Sequence, residues 1–208
     1  MEAYQAITGR RSVRRFSRIP VARPLLQKLL YGACLAPAPH HTRPWRFVLL
    51  ETAEARQRLA EAMGAAWRRD LEADGVAPER IAALLTRSQR QTEEAPALVL
   101  ACLVAEGLPA RPEGGRRWPD ERRQRAEWGM AVQSMGCALE NILVAAHAEG
   151  LAGFWISAPL FCPEAVREAL DLPPEYQAQA LITLGYPAPD VSPRPRREPD
   201  LAKLLTAR

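Results

Sequence analysis

The chain predicts an α+β fold, one sheet enclosed by helices, and three observations carry that expectation. Stretches with helical periodicity outnumber short apolar runs of strand length. The two kinds alternate irregularly, without the regular strand–helix repeat of a parallel sheet. No internal repeat, low-complexity tract or composition break divides the 208 residues, which predicts one domain, 1–208, with 187–208 as a C-terminal arm.

Helical spacing first appears at 24–35, PLLQKLLYGACL, behind a proline suited to a first helical turn. RFVLLE (46–51) reads as a short strand. Thr52 fits as N-cap of a strong helix over 52–73, and a further helix over 78–94 stops before Pro96. ALVLACLV (97–104) is apolar throughout, the pattern of a central strand covered on both faces. Residues 105–121, rich in Gly and Pro, read as a long loop of the kind that serves as lid or binding loop. The longest helix spans 121–149. From Gly129 to Ala148 its only formally charged side chain is Glu140, which predicts burial on nearly all sides. Small residues at Ala131, Ser134, Ala138, Ala145 and Ala148 let another backbone come close, and a partner subunit would complete the cover. Gly150 ends that helix. A strand over 153–157, a helix over 162–173 and a strand over 178–186 follow, the last alternating only in its second half. A Pro-rich extended arm covers 187–199, and 200–205 forms a short helix or a strand.

Composition narrows the function classes. At 48% hydrophobic and 25% charged the chain is ordinary for a globular protein. No apolar run approaches the roughly 20 residues of a membrane span, and the N-terminus does not read as a signal peptide. Cys34, Cys102, Cys137 and Cys162 are scattered without a CxxC pair, as buried thiols of a cytoplasmic protein would be. The net charge is +4, and Lys28 and Lys203 are the only lysines among 28 basic residues. Arginine presents a planar fork suited to phosphate and carboxylate, so the bias points to anionic ligands or to solvated faces.

Two motifs stand out. In GRRSVRRF (9–16), Arg10, Ser12 and Arg14 alternate, so in an extended segment they share one side and could hold a phosphate dianion. The competing reading is a basic arm on nucleic acid, against which stand the small net charge and the lack of any helix-turn-helix, zinc or RNP signature. In APAPHHTRPWRF (36–47), His40 and His41 are adjacent in what reads as an extended loop. They would point to opposite sides, with no third ligand nearby, so they do not make a zinc site. No nucleophile elbow accompanies them.

RRSVRRF, followed about thirty residues later by LAPAPHHTRPWRF, resembles the flavin-binding nitroreductase family, with its RRSxRxF-like start and APSxxNxQPWxF-like second motif. GLAGFWIS, EALDLP, ITLGYPAPD and the basic RPRREP extend the resemblance from about Tyr4 to Leu205. Within the family, APAPHHTRPWRF, WPDERRQRAEWGMAVQSMGCALENIL and SAPLFCPEAVREALDLP look most like the C-terminal flavin domain of FbiB-type enzymes, which make the deazaflavin coenzyme F-420.

The resemblance implies a nitroreductase-like fold with a central, mostly antiparallel sheet, an intertwined homodimer with helix 126–149 as dimer element, and FMN as cofactor. Arg10, Ser12 and Arg14 would hold the FMN phosphate with Arg11 beside them, and Arg196 or Arg197 would complete that site. Pro37, Ala38, Pro39 and His41 would line the flavin across the dimer interface. His41 replaces the usual Asn and Arg43 the usual Gln, a departure from ordinary nitroreductase patterns. Ile156, Ser157 and Ala158 would pass the reactive edge of the ring, where a backbone N–H stabilises charge. No catalytic residue and no metal are implied, because the flavin supplies the hydride chemistry. The implied substrate is a small, flat, anionic acceptor, the dehydro form of F-420-0, met by Arg43, Arg46, Arg116, Arg117 and Arg122. A broad NAD(P)H-dependent nitro or quinone reductase and a non-catalytic flavin or F-420 binder are the alternatives. Neither nucleic acid nor membrane is implied as a partner.

Overall fold

The computed structural model describes residues 1–104, 121–192 and 195–208. Its centre is a four-stranded antiparallel sheet in the order β1-β2-β4-β3, formed by β1 (Trp45–Leu49), β2 (Ala97–Val104), β3 (Ala152–Ile156) and β4 (Tyr176–Gly185). All eight residues of β2 are buried, as its unbroken apolar run predicts for a central strand. The expected lid 105–121, apart from Glu121, lies outside the described residues.

Two apolar layers sandwich the sheet. One face carries Val99, Ala101, Leu103, Ile182 and Leu184 and packs against α2 (Arg23–Cys34) and α5 (Glu121–Ala148). The other carries Leu98, Leu100, Cys102 and Leu181 and meets α3 (Ala53–Ala73) and α6 (Pro163–Ala169). A register shift between Ala101 and Cys102, opposite Ala180 and Ala178, lets Ala178 and Ala180 face opposite layers although they are two residues apart. That bulge is why the alternation of β4 is readable only in its second half.

Local chemistry sets the helix ends. The Thr52 hydroxyl accepts from the Ala55 N–H at 3.1 Å and caps α3. Gly75, at φ +72°, turns the chain toward α4 (Pro78–Glu93), which packs against α3 as a helical hairpin. At the end of α5 the Leu151 N–H reaches the Ala146 carbonyl at 2.8 Å and the Gly150 N–H reaches His147 at 3.1 Å. Gly150 sits at φ +79°, the left-handed position such a C-cap requires.

Four points revise or complete the sequence reading. The first residues, for which the sequence predicts no element, form a helix, α1 (Ala3–Gly9), held by buried Ala6 and by packing on α5. Helix 162–173 shortens to α6, because the chain passes through a left-handed residue at Asp171, φ +51°. Residues 200–205 resolve as a short helix, α7 (Leu201–Leu204). Finally, α5 is not covered all round. Ala131, Met135, Ala138, Leu139 and Ile142 pack inward, while Val132, Gln133, Cys137 and Asn141 form an exposed stripe. By length and apolar content α5 would suffice to cross a membrane, but its inward face is part of the sheet's core.

Candidate functional site

The segment after α1 runs along the outer edge of β3. Ser12 bridges Gly153 in parallel, and the Val13 N–H donates to the Gly153 carbonyl at 3.1 Å. Gly153 is required there. A Cβ would stand 2.7 Å from a Leu143 methyl and 3.2 Å from the Thr183 carbonyl oxygen. Phe16 then bridges Pro187, and the Ala188 N–H donates to the Arg15 carbonyl, so the C-terminal arm lies alongside the N-terminal segment.

This layout does not carry through the expected alternation of Arg10, Ser12 and Arg14. Arg10 closes α1, and its Nε donates to Glu140 of α5 at 3.1 Å. The pair is partly buried, with the two side chains 20% and 44% exposed. Arg11, Ser12, Arg14 and Arg15 instead line one cleft of about 840 Å³, together with Arg87 of α4. Asp190, also in that cleft, accepts from Arg15, and this bond holds its carboxyl below the usual carboxylate range. Arg196 donates to the Arg10 carbonyl at 2.8 Å and to the Ile7 carbonyl at 3.4 Å, so the arm reaches the end of α1, but Arg196 does not line the cleft. Arg197 is exposed.

A second, largely apolar cavity of about 580 Å³ opens between α3, α4 and a 3-10 turn at Ala158–Phe161. Met63, Trp67, Leu84, Ile156, Ala158 and Phe161 supply apolar walls, and Asp70, Ser88 and Gln91 add polar groups. Phe161 is 80% exposed at this cavity. Cys162, also in the wall, has its thiol pushed up by burial, with Asp70 adding to the effect and Arg69 opposing it. It is therefore a neutral packing group and not a nucleophile. Ser157 is exposed and does not line the cavity. A third cleft, of about 760 Å³, lies between α4 and residues 14–16. Arg14 and Arg87 line all three. Arg14 also stacks on Phe154 of β3, 3.9 Å from the ring centroid, which fixes the guanidinium between the clefts.

Pro37, Ala38, Pro39, His41 and Arg43 belong to none of these clefts. They precede β1, at the opposite edge of the sheet from β3 and three strand spacings away, roughly 14 Å. Pro39–His41 forms a 3-10 turn in place of the expected extended loop. His41 and Arg43 take left-handed backbone, φ 56° and 46°, which costs each about 1–3 kcal/mol that the surrounding structure must offset. Arg46 donates to the carbonyl of its neighbour Trp45. Arg122 is exposed in the first turn of α5, and Arg116 and Arg117 lie outside the described residues. Arg87, Ser88 and Gln91 escape the sequence reading. Their signal is present as 84, 87, 88 and 91 on one side of a helix, but only the hairpin of α3 and α4 turns that side into a cavity wall.

The chain belongs to the nitroreductase family, whose sequence pattern it matches over residues 7–186. It is 29% identical over 202 residues to a protein of Thermus thermophilus named NADH dehydrogenase, covering 94% of this chain and 92% of that one. Its fold is similar to that of a BluB-like flavoprotein from Clostridium difficile, with TM-score 0.79 and 22% identity over 100% of this chain and 99% of the other. A nitroreductase-type protein from Desulfovibrio desulfuricans, solved in complex with FMN, superposes with TM-score 0.71 and 24% identity, over 100% of this chain and 97% of that one.

Proposed function

We propose that this chain is an FMN-dependent oxidoreductase that passes reducing equivalents from a reduced nicotinamide nucleotide to a flat conjugated acceptor. The observation that carries the reading is the junction at Arg14 and Arg87, where an arginine-lined cleft meets an apolar cavity of about 580 Å³. A flavin mononucleotide has the matching asymmetry, a dianionic phosphate at one end and a flat ring at the other. Arg11, Ser12, Arg14 and Arg15 would hold the phosphate through charge-assisted hydrogen bonds. Ile156 and Ala158 would bound the ring, and Ser88 and Gln91 offer it hydrogen-bonding groups. When bound, the flavin supplies hydride transfer; the protein orients it and excludes water. The family membership and the relatives named above support the same chemistry.

The reading includes a homodimer. The exposed stripe of α5 and the 37–43 loop, stranded at the far edge of the sheet, would meet a second copy, whose own loop would then cover the flavin. The test is spectroscopic. The purified protein should carry or take up FMN, and stoichiometric NADH or NADPH under anaerobic conditions should bleach its band near 450 nm. A protein that binds no FMN would overturn the proposal.

A narrower acceptor, the dehydro form of F-420-0, is favoured by the density of arginine around the clefts, since that molecule carries a phosphodiester and carboxylate. Reoxidation of the reduced protein by that compound, and not by nitroaromatics or quinones, would support the narrower reading. Reoxidation by nitroaromatics and quinones alone would assign a broad reductase, and no turnover with any acceptor a flavin-binding protein.

A further inference from the structure

The third cleft is as basic as the one proposed to hold the flavin phosphate. Arg14, Arg15, Arg87 and Arg90 line it, against one carboxylate, Glu94. That carboxylate accepts from Arg90 at 3.1 Å in an exposed ion pair, a contact too solvated to hold the arginine strongly. Arg87 forms no ion pair among the described residues, although it lines all three clefts. The Thr86 hydroxyl, also in the wall, donates to the Ala82 carbonyl at 2.9 Å, so the arginines supply the donors. Four guanidinium forks around a cleft of about 760 Å³ match an organic phosphate better than any neutral ligand.

Position separates this cleft from the flavin's. Arg11, Ser12 and Ser192 line only the flavin-phosphate cleft, whereas Thr86 and Arg90 line only this one. Arg14, Arg15 and Arg87 form the wall between them, and a guanidinium with five N–H donors can serve an anion on each side. Arg87 and Gln91, one helical turn apart, also divide this cleft from the apolar cavity. That ridge is about 6 Å long, so one molecule can place its flat group on one side and its phosphate on the other.

We propose that the cleft between α4 and residues 14–16 is a second anion subsite, which binds the phosphate of the exchanging substrate while the flavin phosphate occupies the adjoining cleft. The proposal rests on the flavin oxidoreductase reading. The ligand chemistry is an organic phosphate, which either a nicotinamide dinucleotide or a phosphodiester-bearing acceptor would bring.

Arg90→Gln tests it, because Arg90 touches neither the apolar cavity nor the flavin-phosphate cleft. Calorimetric titration of the FMN-loaded protein with inorganic pyrophosphate should show binding, weakened roughly tenfold by R90Q, the loss of one or two charge-assisted hydrogen bonds. Glu94→Gln, which removes the competing carboxylate, should tighten it. FMN affinity, measured separately by fluorescence, should not change in either variant. Absence of pyrophosphate binding, or equal binding by wild type and R90Q, would overturn the subsite. If the protein binds no FMN, the oxidoreductase reading fails by itself; the same titration on the flavin-free protein still decides whether the cleft is an anion site. Steady-state arms then identify the source. A fall in kcat/KM for NADH and NADPH alike assigns the diphosphate of the dinucleotide, and a fall for NADPH alone assigns its additional phosphate. A fall confined to the deazaflavin acceptor assigns its phosphodiester. No fall in any arm would overturn the substrate role.

Discussion

Replacing Arg56 by Met should loosen the wall of the cavity from behind. The half-buried guanidinium of Arg56, on α3, donates to the carbonyl of Leu50 at 2.8 Å and to those of Glu93, Ala95 and Pro96. It thereby ties α3 to the end of β1 and to the turn between α4 and β2. Burial lowers its pKa from the ordinary value, yet an arginine stays charged there. Methionine keeps much of the stem and removes every donor. The bonds to Leu50 and Ala95 are the firm ones, and each is worth about 1.5–3 kcal/mol when the donor is charged. Water will reach part of the exposed carbonyl surface, so the expected loss is the low end for the pair, about 3 kcal/mol. For a domain of this size each kcal/mol moves Tm by about 2–4 °C, giving a fall of roughly 6–12 °C by calorimetry or circular dichroism. Arg56→Lys, with a point charge in place of a fork, should fall between. FMN retention should drop with Arg56→Met, since Arg87, Ser88 and Gln91 stand on the helix end the clamp secures. A Tm change below about 2 °C would show that these carbonyls are satisfied without Arg56, and the clamp argument would be wrong.

Two further outcomes follow from features of the core. Gly153→Ala should cost about 1–3 kcal/mol by overpacking against Leu143 and Leu184, and should also disturb the Val13 bond that seats the arginine segment; urea melts and FMN titration would read both, and an unchanged midpoint would contradict the close contact. Cys102 is fully buried, and desolvation pushes its thiol up to about 12 from the ordinary value of 9.0. The folded pKa being the higher, the stabilising contribution is intact below pH 9 and is lost between about pH 9 and 12, as the unfolded thiolate forms. The loss should approach about 1.4 kcal/mol per pH unit. Cys102→Ala should therefore show a flatter decline of the urea midpoint over that range than the wild type, and parallel curves would refute it.

The parts of this fold legible in the sequence are those where local preference and tertiary packing agree. β2 was readable to the residue because a central strand buried on both faces needs no alternation. Thr52 was readable because a hydroxyl before a helix has one strong use. Where tertiary contact overrides local preference, the sequence is a poorer guide. α1 is only seven residues long and without a side-chain cap, too short to stand without α5. The bulge near Ala178 masked half of β4. The arginine site was legible as a cluster but not in its membership. Glu140 draws Arg10 aside from a distance of 130 positions, and Arg87 enters from a helix whose charges look like an ordinary solvated face. The 37–43 loop lines none of the three clefts, and its proposed role across two subunits would leave no trace in the geometry of one.

The bond from Arg196 to the Arg10 carbonyl joins residues 186 positions apart. Closing so long a loop is entropically slow and gains nothing until the intervening sheet exists. The cleft that Arg11, Ser12, Asp190 and Ser192 line from both ends of the chain must therefore be among the last parts of the molecule to assemble, and a chain still emerging from the ribosome has no complete one. An FMN held there, as proposed, would load only onto finished protein, and its retention would report on how faithfully both chain ends have come home.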